Sequence, residues 1–162
     1  MSQFVSTRPP RHPQSYVAMQ LHHILSDPHL SVSDWLERYP PAPDHKKWVY
    51  RCLKGCLRWH TLLSALIDLL CTKKPPPRAS LIHCVLVVGL YQLIYLAQAP
   101  FASCNETVKA CKKLRQHKAS GWLNACMRQF LRRRHDFYTH LYPQADHMAS
   151  HPSFLLEKIR TD

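Results

Sequence analysis

Residues 81–97, LIHCVLVVGLYQLIYLA, decide the fold of this chain. A membrane span needs about 20 consecutive apolar residues. This stretch falls short of that and carries His83, Gly89 and Gln92, of which the two polar side chains are costly in hydrocarbon. A helix that is apolar on nearly every side and does not cross a membrane is one surrounded by its neighbours. Residues 78–96 are therefore expected to form the central helix of an all-α bundle, with no membrane partner.

Working outward, prolines rather than glycines punctuate the sequence, at Pro9-Pro10, Pro40-Pro41, Pro75-Pro76-Pro77 and Pro100. Between them the apolar residues recur at helical spacing, and strand-type alternation is absent. Val17, Leu21, Ile24 and Leu25 mark a first helix, and residues 33–39, with Trp35 and Leu36, a short second one. Asp44 is placed to cap a third, carried by Val49, Cys52, Leu53 and Cys56. Leu62, Leu63, Leu66, Ile67 and Leu70 define a fourth that ends near Lys73-Lys74, where cations favour the negative end of the helix dipole.

Beyond Pro100, Ser103-Cys104-Asn105-Glu106 matches a capping box and predicts that a sixth helix starts there. Ser120 is placed to cap a seventh, with Trp122, Leu123, Cys126, Met127 and Phe130 on one face and Arg132-Arg133-Arg134 at its end. Pro152 to Ile159 would begin an eighth. The expected organisation is an extended or disordered tail over 1–13, a bundle of about seven helices over 14–142, and a linker with the start of a further helix over 143–162. Short connections predict that sequential helices pack as neighbours.

At 162 residues the chain suits one domain, and its three glycines, Gly55, Gly89 and Gly121, cannot build the glycine-rich turns that cradle nucleotide phosphates. A nucleotide-driven enzyme is excluded on that ground. The seven cysteines are odd in number, lack C-x-x-C spacing and fall mostly on apolar helical faces, which predicts reduced, buried thiols in a cytoplasmic setting. MSQFVSTRPPRHPQ offers no apolar signal core, so no secretion is expected.

Lys plus Arg exceed Asp plus Glu by 22 to 10, a formal net charge of +12, and such a surplus attracts polyanions. Its placement sharpens that reading. Lys47, Arg51, Lys54 and Arg58 fall within about 60° of arc on a helical wheel, opposite Val49, Cys52, Leu53 and Cys56. Lys109, Lys112 and Lys113 oppose Cys104, Val108, Cys111 and Leu114, while Arg128 and Arg132 oppose Leu123, Cys126 and Phe130. Any amphipathic helix has a charged back. These rows are nearly free of acids, however, and like charges at i,i+4 repel, so an anionic partner would offset a standing cost. Trp48, Tyr50 and Trp59 lie beside the first row as candidates either for base stacking or for the core.

Catalytic chemistry finds no foothold. Of the twelve histidines, His147 with His151 and His22 with His23 come nearest to ligand spacing, and neither pair has a third ligand nearby in sequence. No Ser or Cys has a nominated base, and the acids read as caps or surface charges. Neither a catalytic residue, a metal nor a cofactor is expected.

The run Gly89-Leu90-Tyr91-Gln92-Leu93-Ile94-Tyr95, then Asn105-Glu106-Thr107-Val108, then Leu123-Asn124-Ala125-Cys126-Met127-Arg128, resembles the signature segments of the NusB-like family, in order and in spacing. The resemblance spans residues 16–159 and implies a NusB-like helical bundle that binds RNA. Two branches share that fold: free-standing bacterial antitermination factors, which bind RNA and a small ribosomal protein, and the N-terminal domain of 16S ribosomal RNA cytosine-C5 methyltransferases. Gln92, Arg128 and His151-Pro152-Ser153-Phe154-Leu155-Leu156 are similar to the second. The family's catalytic cysteines sit in Pro-Cys and Thr-Cys dipeptides, and neither dipeptide occurs here. The resemblance therefore implies a substrate-recognition module whose S-adenosylmethionine-dependent catalytic half is absent from these residues.

NusB factors also carry an arginine-rich first helix, whereas Arg8 and Arg11 lie among prolines here, and Met127 replaces the usual Leu, a volume-conserving change. The candidate RNA contacts are Arg11, Lys47, Arg51, Lys54, Arg58, Lys109, Lys113, Arg128 and Arg132. Three functions stay open: RNA recognition for ribosomal RNA methylation, antitermination with a ribosomal protein, and a protein-interaction bundle whose basic faces meet an acidic partner.

Overall fold

The computed structural model describes residues 10–96, 98–137 and 139. Within them the chain forms α1 (Pro13–Ser26), α2 (Val32–Arg38), α3 (Lys46–Arg58), α4 (His60–Leu70), α5 (Leu81–Tyr95), α6 (Pro100–Lys113) and α7 (Ser120–Arg132), with short 3-10 turns at Pro43–His45 and His117–Ala119. The described residues contain no strand. None of their helices is long and apolar enough to cross a membrane.

α5 is the hub. Residues 83–94 are buried without a break, because α1, α3, α4, α6 and α7 all pack on it. The prediction of a surrounded central helix therefore holds, although its bounds are narrower: Ser80 caps it, its hydroxyl accepting from the His83 amide at 3.3 Å. Two of its small or polar positions have structural roles. A Cβ on Gly89 would meet the Thr107 hydroxyl at 2.6 Å and the Met127 sulfur at 3.0 Å, so this glycine lets α6 and α7 close on α5. Gln92 donates to the Val88 carbonyl at 3.2 Å and accepts from the buried Gln14 of α1 at 3.4 Å, which satisfies part of a polar pair in the interior.

Sequential packing holds for α5 with α6 and for α6 with α7, whereas α1 packs on α3, α5 and α6. α2 buries no residue fully and is held by half-buried Trp35, whose ring lies 4.8 Å from His23 and 4.5 Å from Tyr39.

Several predicted helix starts differ. α1 opens at Pro13, with His12 as its N-cap. Asp44 sits in the 3-10 turn and does not cap α3, whose N-cap is His45. Ser120 is the first residue of α7 rather than its cap, its hydroxyl donating back to the His117 carbonyl at 2.7 Å. α4 ends at Leu70, short of the lysines.

The capping box at Ser103 is also overturned. α6 begins three residues earlier, with Pro100 in its first turn, a position where the missing N–H costs nothing. Ser103 is consequently inside the helix and fully buried, and its carbonyl accepts from the Thr107 hydroxyl at 2.7 Å. The predicted eighth helix, the 143–162 linker and His147 with His151 lie outside the described residues, as does Arg8.

Candidate nucleic-acid interface

α3 owes its orientation to sequence. Val49, Cys52, Leu53 and Cys56 are buried against α1 and α5, and this turns Lys47, Arg51, Lys54 and Arg58 outward, all exposed. No carboxylate lies within ion-pair distance of Lys47, Arg51 or Lys54 among the described residues. Flanking the row, Trp48 and Tyr50 are half-buried, with the Lys46 ammonium 5.8 Å from the Tyr50 ring centre. Trp59 belongs to the core and stacks on Tyr95 at 4.9 Å.

On α6, Lys109, Lys112 and Lys113 are exposed, as are Arg128 and Arg132 on α7. One of these cations is less free than its sequence implies: Lys109 lies 3.9 Å from Glu106. Arg128 sits close enough to α6 to act on the Cys104 thiol, whose pKa is raised by burial and lowered in part by that positive charge.

α1 packs on both α3 and α6, the helices that carry two of these rows. Arg11, just ahead of α1, is exposed. Next to it, His12 reaches Glu106 of α6 at 2.7 Å. The His12 Nδ1 accepts from the Ser15 amide at 3.3 Å, so its Nε2 carries the proton and donates to the carboxylate. Burial lowers the His12 pKa, Glu106 opposes that shift, and the charges of Lys109 and Lys113 reinforce it.

Toward α3, Arg11 lines an open groove of about 630 Å³ together with Arg38, Tyr39, the Pro40–Pro43 stretch, Asp44 and His45. Its wall is fixed by the Tyr16 hydroxyl, which donates to the Tyr39 carbonyl. Arg38 and His45 were missed by sequence reasoning, and the available signal was weak: a cation in the last turn of α2 and a histidine beside an acid. His12 was missed because the tail was read as extended.

Among the described residues no three of His, Cys, Asp and Glu come together to hold a metal ion. All seven cysteines are free thiols. Burial pushes the thiols of Cys84 and Cys126 up to about 12 and so keeps these two protonated, and a protonated thiol is a poor nucleophile.

Comparison with known proteins gives this arrangement its context. Ribosomal RNA small subunit methyltransferase B of Shigella flexneri is 31% identical over 106 residues, covering 65% of this chain and 24% of that protein. The proteins of the same name from Escherichia fergusonii and from Escherichia coli O127:H6 are each 30% identical over 106 residues, with the same coverage. The chain thus matches about a quarter of the length of these curated relatives. Residues 17–132, running from the second turn of α1 to the end of α7 around the hub helix, match the NusB family, and the chain belongs to that family.

Proposed function

We propose that this chain is an RNA-binding, substrate-recognition module associated with cytosine-C5 methylation of 16S ribosomal RNA. The observation that carries this reading is the α3 row, in which Lys47, Arg51 and Lys54 face solvent without a carboxylate partner among the described residues. Cations held outward on a packed helix neutralise phosphates, and phosphate contacts position a strand without reading its sequence. Arg11, Lys109, Lys113, Arg128 and Arg132 are exposed too and are proposed as further phosphate contacts. Kinship with ribosomal RNA methyltransferases supports the choice of ribosomal RNA over other polyanions.

In this reading catalysis belongs to a partner methyltransferase domain that binds S-adenosylmethionine. The module's own contribution is to hold and orient the substrate.

Fluorescence anisotropy of a labelled 16S RNA fragment, titrated with the chain at several salt concentrations, tests the proposal. Binding that weakens steeply with salt, together with methylation restored when a separate catalytic domain is added, is the expected result. A flat salt response rejects the electrostatic grip. Co-purification of a small ribosomal protein, with no effect on methylation, moves the chain to the antitermination branch.

A further inference from the structure

Phe101 is the only large apolar side chain left exposed among the described residues, with 78% of its surface open to solvent. Single exposed apolar residues are common on protein surfaces and carry no meaning alone. The neighbourhood of this one is what matters. Along α6, Phe101, Asn105, Lys109 and Lys112 recur at helical spacing, fall within about 80° of arc and span about 17 Å. All four are exposed, so they form one strip of aromatic ring, amide and two ammonium groups.

The neighbouring helix adds a second row. The Arg128 charge acts on Cys104, while Gly89 of α5 faces both Thr107 and Met127. α6 and α7 pack directly on each other, so the exposed arginines of α7 belong to the helix beside this strip. Phe101 shares its helix face with the exposed Lys109 and Lys112, and Arg128 and Arg132 are exposed on the helix packed beside it, with no carboxylate within ion-pair distance of Lys112, Arg128 or Arg132 among the described residues.

A flat apolar face set among cations matches one ligand chemistry well. Single-stranded RNA presents unstacked bases, each with a π face, along a chain of phosphates, and proteins hold it by stacking bases on aromatic rings while cations track the backbone. A duplex hides its base faces. An acidic peptide has the charge but no such recurrent ring surface.

We infer that Phe101 is a base-stacking platform for single-stranded RNA, with Lys109 and Lys112 on the same face of α6 and Arg128 and Arg132 on neighbouring α7 as the cations that track the strand. This rests on the proposed RNA-binding function and adds a contact that cations alone do not make.

The test measures binding of the whole chain to a fluorescein-labelled single-stranded RNA of about 12 nucleotides, to the same RNA with abasic sites, and to inorganic polyphosphate. Phe101→Ala should weaken binding to the intact RNA about tenfold while leaving the salt slope and the polyphosphate affinity unchanged. Phe101→Tyr should restore affinity and Phe101→Leu should not, because only the former keeps a ring. The abasic strand should bind wild type and Phe101→Ala alike. Far-ultraviolet circular dichroism confirms that the variants stay folded, as expected for so exposed a position.

Equal affinity of wild type and Phe101→Ala for intact RNA overturns the platform and leaves the cationic grip standing. Full rescue by Leu overturns stacking in favour of a general apolar contact. A change of oligomeric state on removing the ring, with RNA affinity unaltered, assigns the surface to a second copy of this chain and overturns the inference. Failure of the wild-type chain to bind RNA at any salt concentration removes the underlying function and the platform together.

Discussion

A methyl group on Gly55 of α3 would sit 2.0 Å from the Tyr91 hydroxyl oxygen and 2.1 Å from the carbon that bears it. The two helices meet here because one side has no side chain. Tyr91 has little room to retreat, being 6% exposed and stacked on Tyr95 at 5.1 Å. Gly55→Ala should destabilise the bundle by about 1–3 kcal/mol, even though removing a mid-helix glycine by itself favours the helix by about 0.5–1 kcal/mol. Urea unfolding of Gly55→Ala, Tyr91→Leu and the double variant measures it, and the double should be more stable than the two single losses added together. A neutral Gly55→Ala would mean that the helices can slide apart freely.

His12 has two jobs that substitution can separate. Its Nδ1 caps α1, while its Nε2–H reaches Glu106 across to α6. Asparagine keeps the first job and is too short for the second. His12→Asn should therefore cost less than His12→Ala by about 1 kcal/mol, and the residual loss in His12→Asn should shrink when Glu106 is already replaced by Gln. Equal losses in His12→Asn and His12→Ala would assign the effect to the α1–α6 tie alone.

The α3 row should act through phosphates. Replacing Lys47, Arg51 and Lys54 together by Ser should lower RNA affinity on the order of 100-fold at 0.1 M salt and make the slope of log K against log salt shallower by about 2. Stability should hardly change, because all three side chains are exposed. Loss of affinity with an unchanged slope would point to a contact other than ion pairing.

Acid should loosen the bundle through its buried imidazoles. His83 is fully buried, its ring nitrogens have no partner among the described residues, and its ring is 6.1 Å from that of His60. Burial, with His60 and Arg78 nearby, lowers its pKa to about 4, against some opposition from Asp68. Above pH 6.5 the imidazole is neutral both folded and unfolded, and its contribution is complete. Between pH 6.5 and 4 the unfolded chain takes a proton that the folded one refuses, so stability falls as pH falls, by up to about 1.4 kcal/mol per pH unit for this group. His12, His23 and His60 are shifted in the same direction and steepen the loss. Urea midpoints at pH 7 and pH 5 should differ less in His83→Leu than in the wild type, and an identical difference would discharge His83 from this role.

The hub helix and the outward rows were legible because each depends on periodicity within one segment. α5 is apolar all round because it has neighbours all round, and α3 sorts its cations from its core residues every turn. What escaped depends on meetings between segments. Glu106 reads as half of a capping box until His12, far away in sequence, claims its carboxylate. Ser103 reads as a cap until Pro100 starts the helix ahead of it and Thr107 bonds to its carbonyl. Likewise the Tyr91 ring over Gly55 and the imidazole of His60 beside His83 join different helices, and spacing along one helix carries no trace of its partner. A helix start at Ser103 leaves Phe101 outside the helix, so its place on the α6 face emerges only with the start at Pro100.

The thiols give the molecule an internal clock. Cys52, Cys56, Cys84, Cys111 and Cys126 are sealed in the interior, and Cys71 and Cys104 keep partial contact with water. The thiolate is the species that attacks an alkylating reagent, so a maleimide dye marks Cys71 and Cys104 first and reaches the sealed five only as the helices part. Mass added over time then counts opening events without any engineered label. A fluorophore on Cys104 would also stand within the reach of the Arg128 charge, three residues from Phe101, where it could report the arrival of a strand.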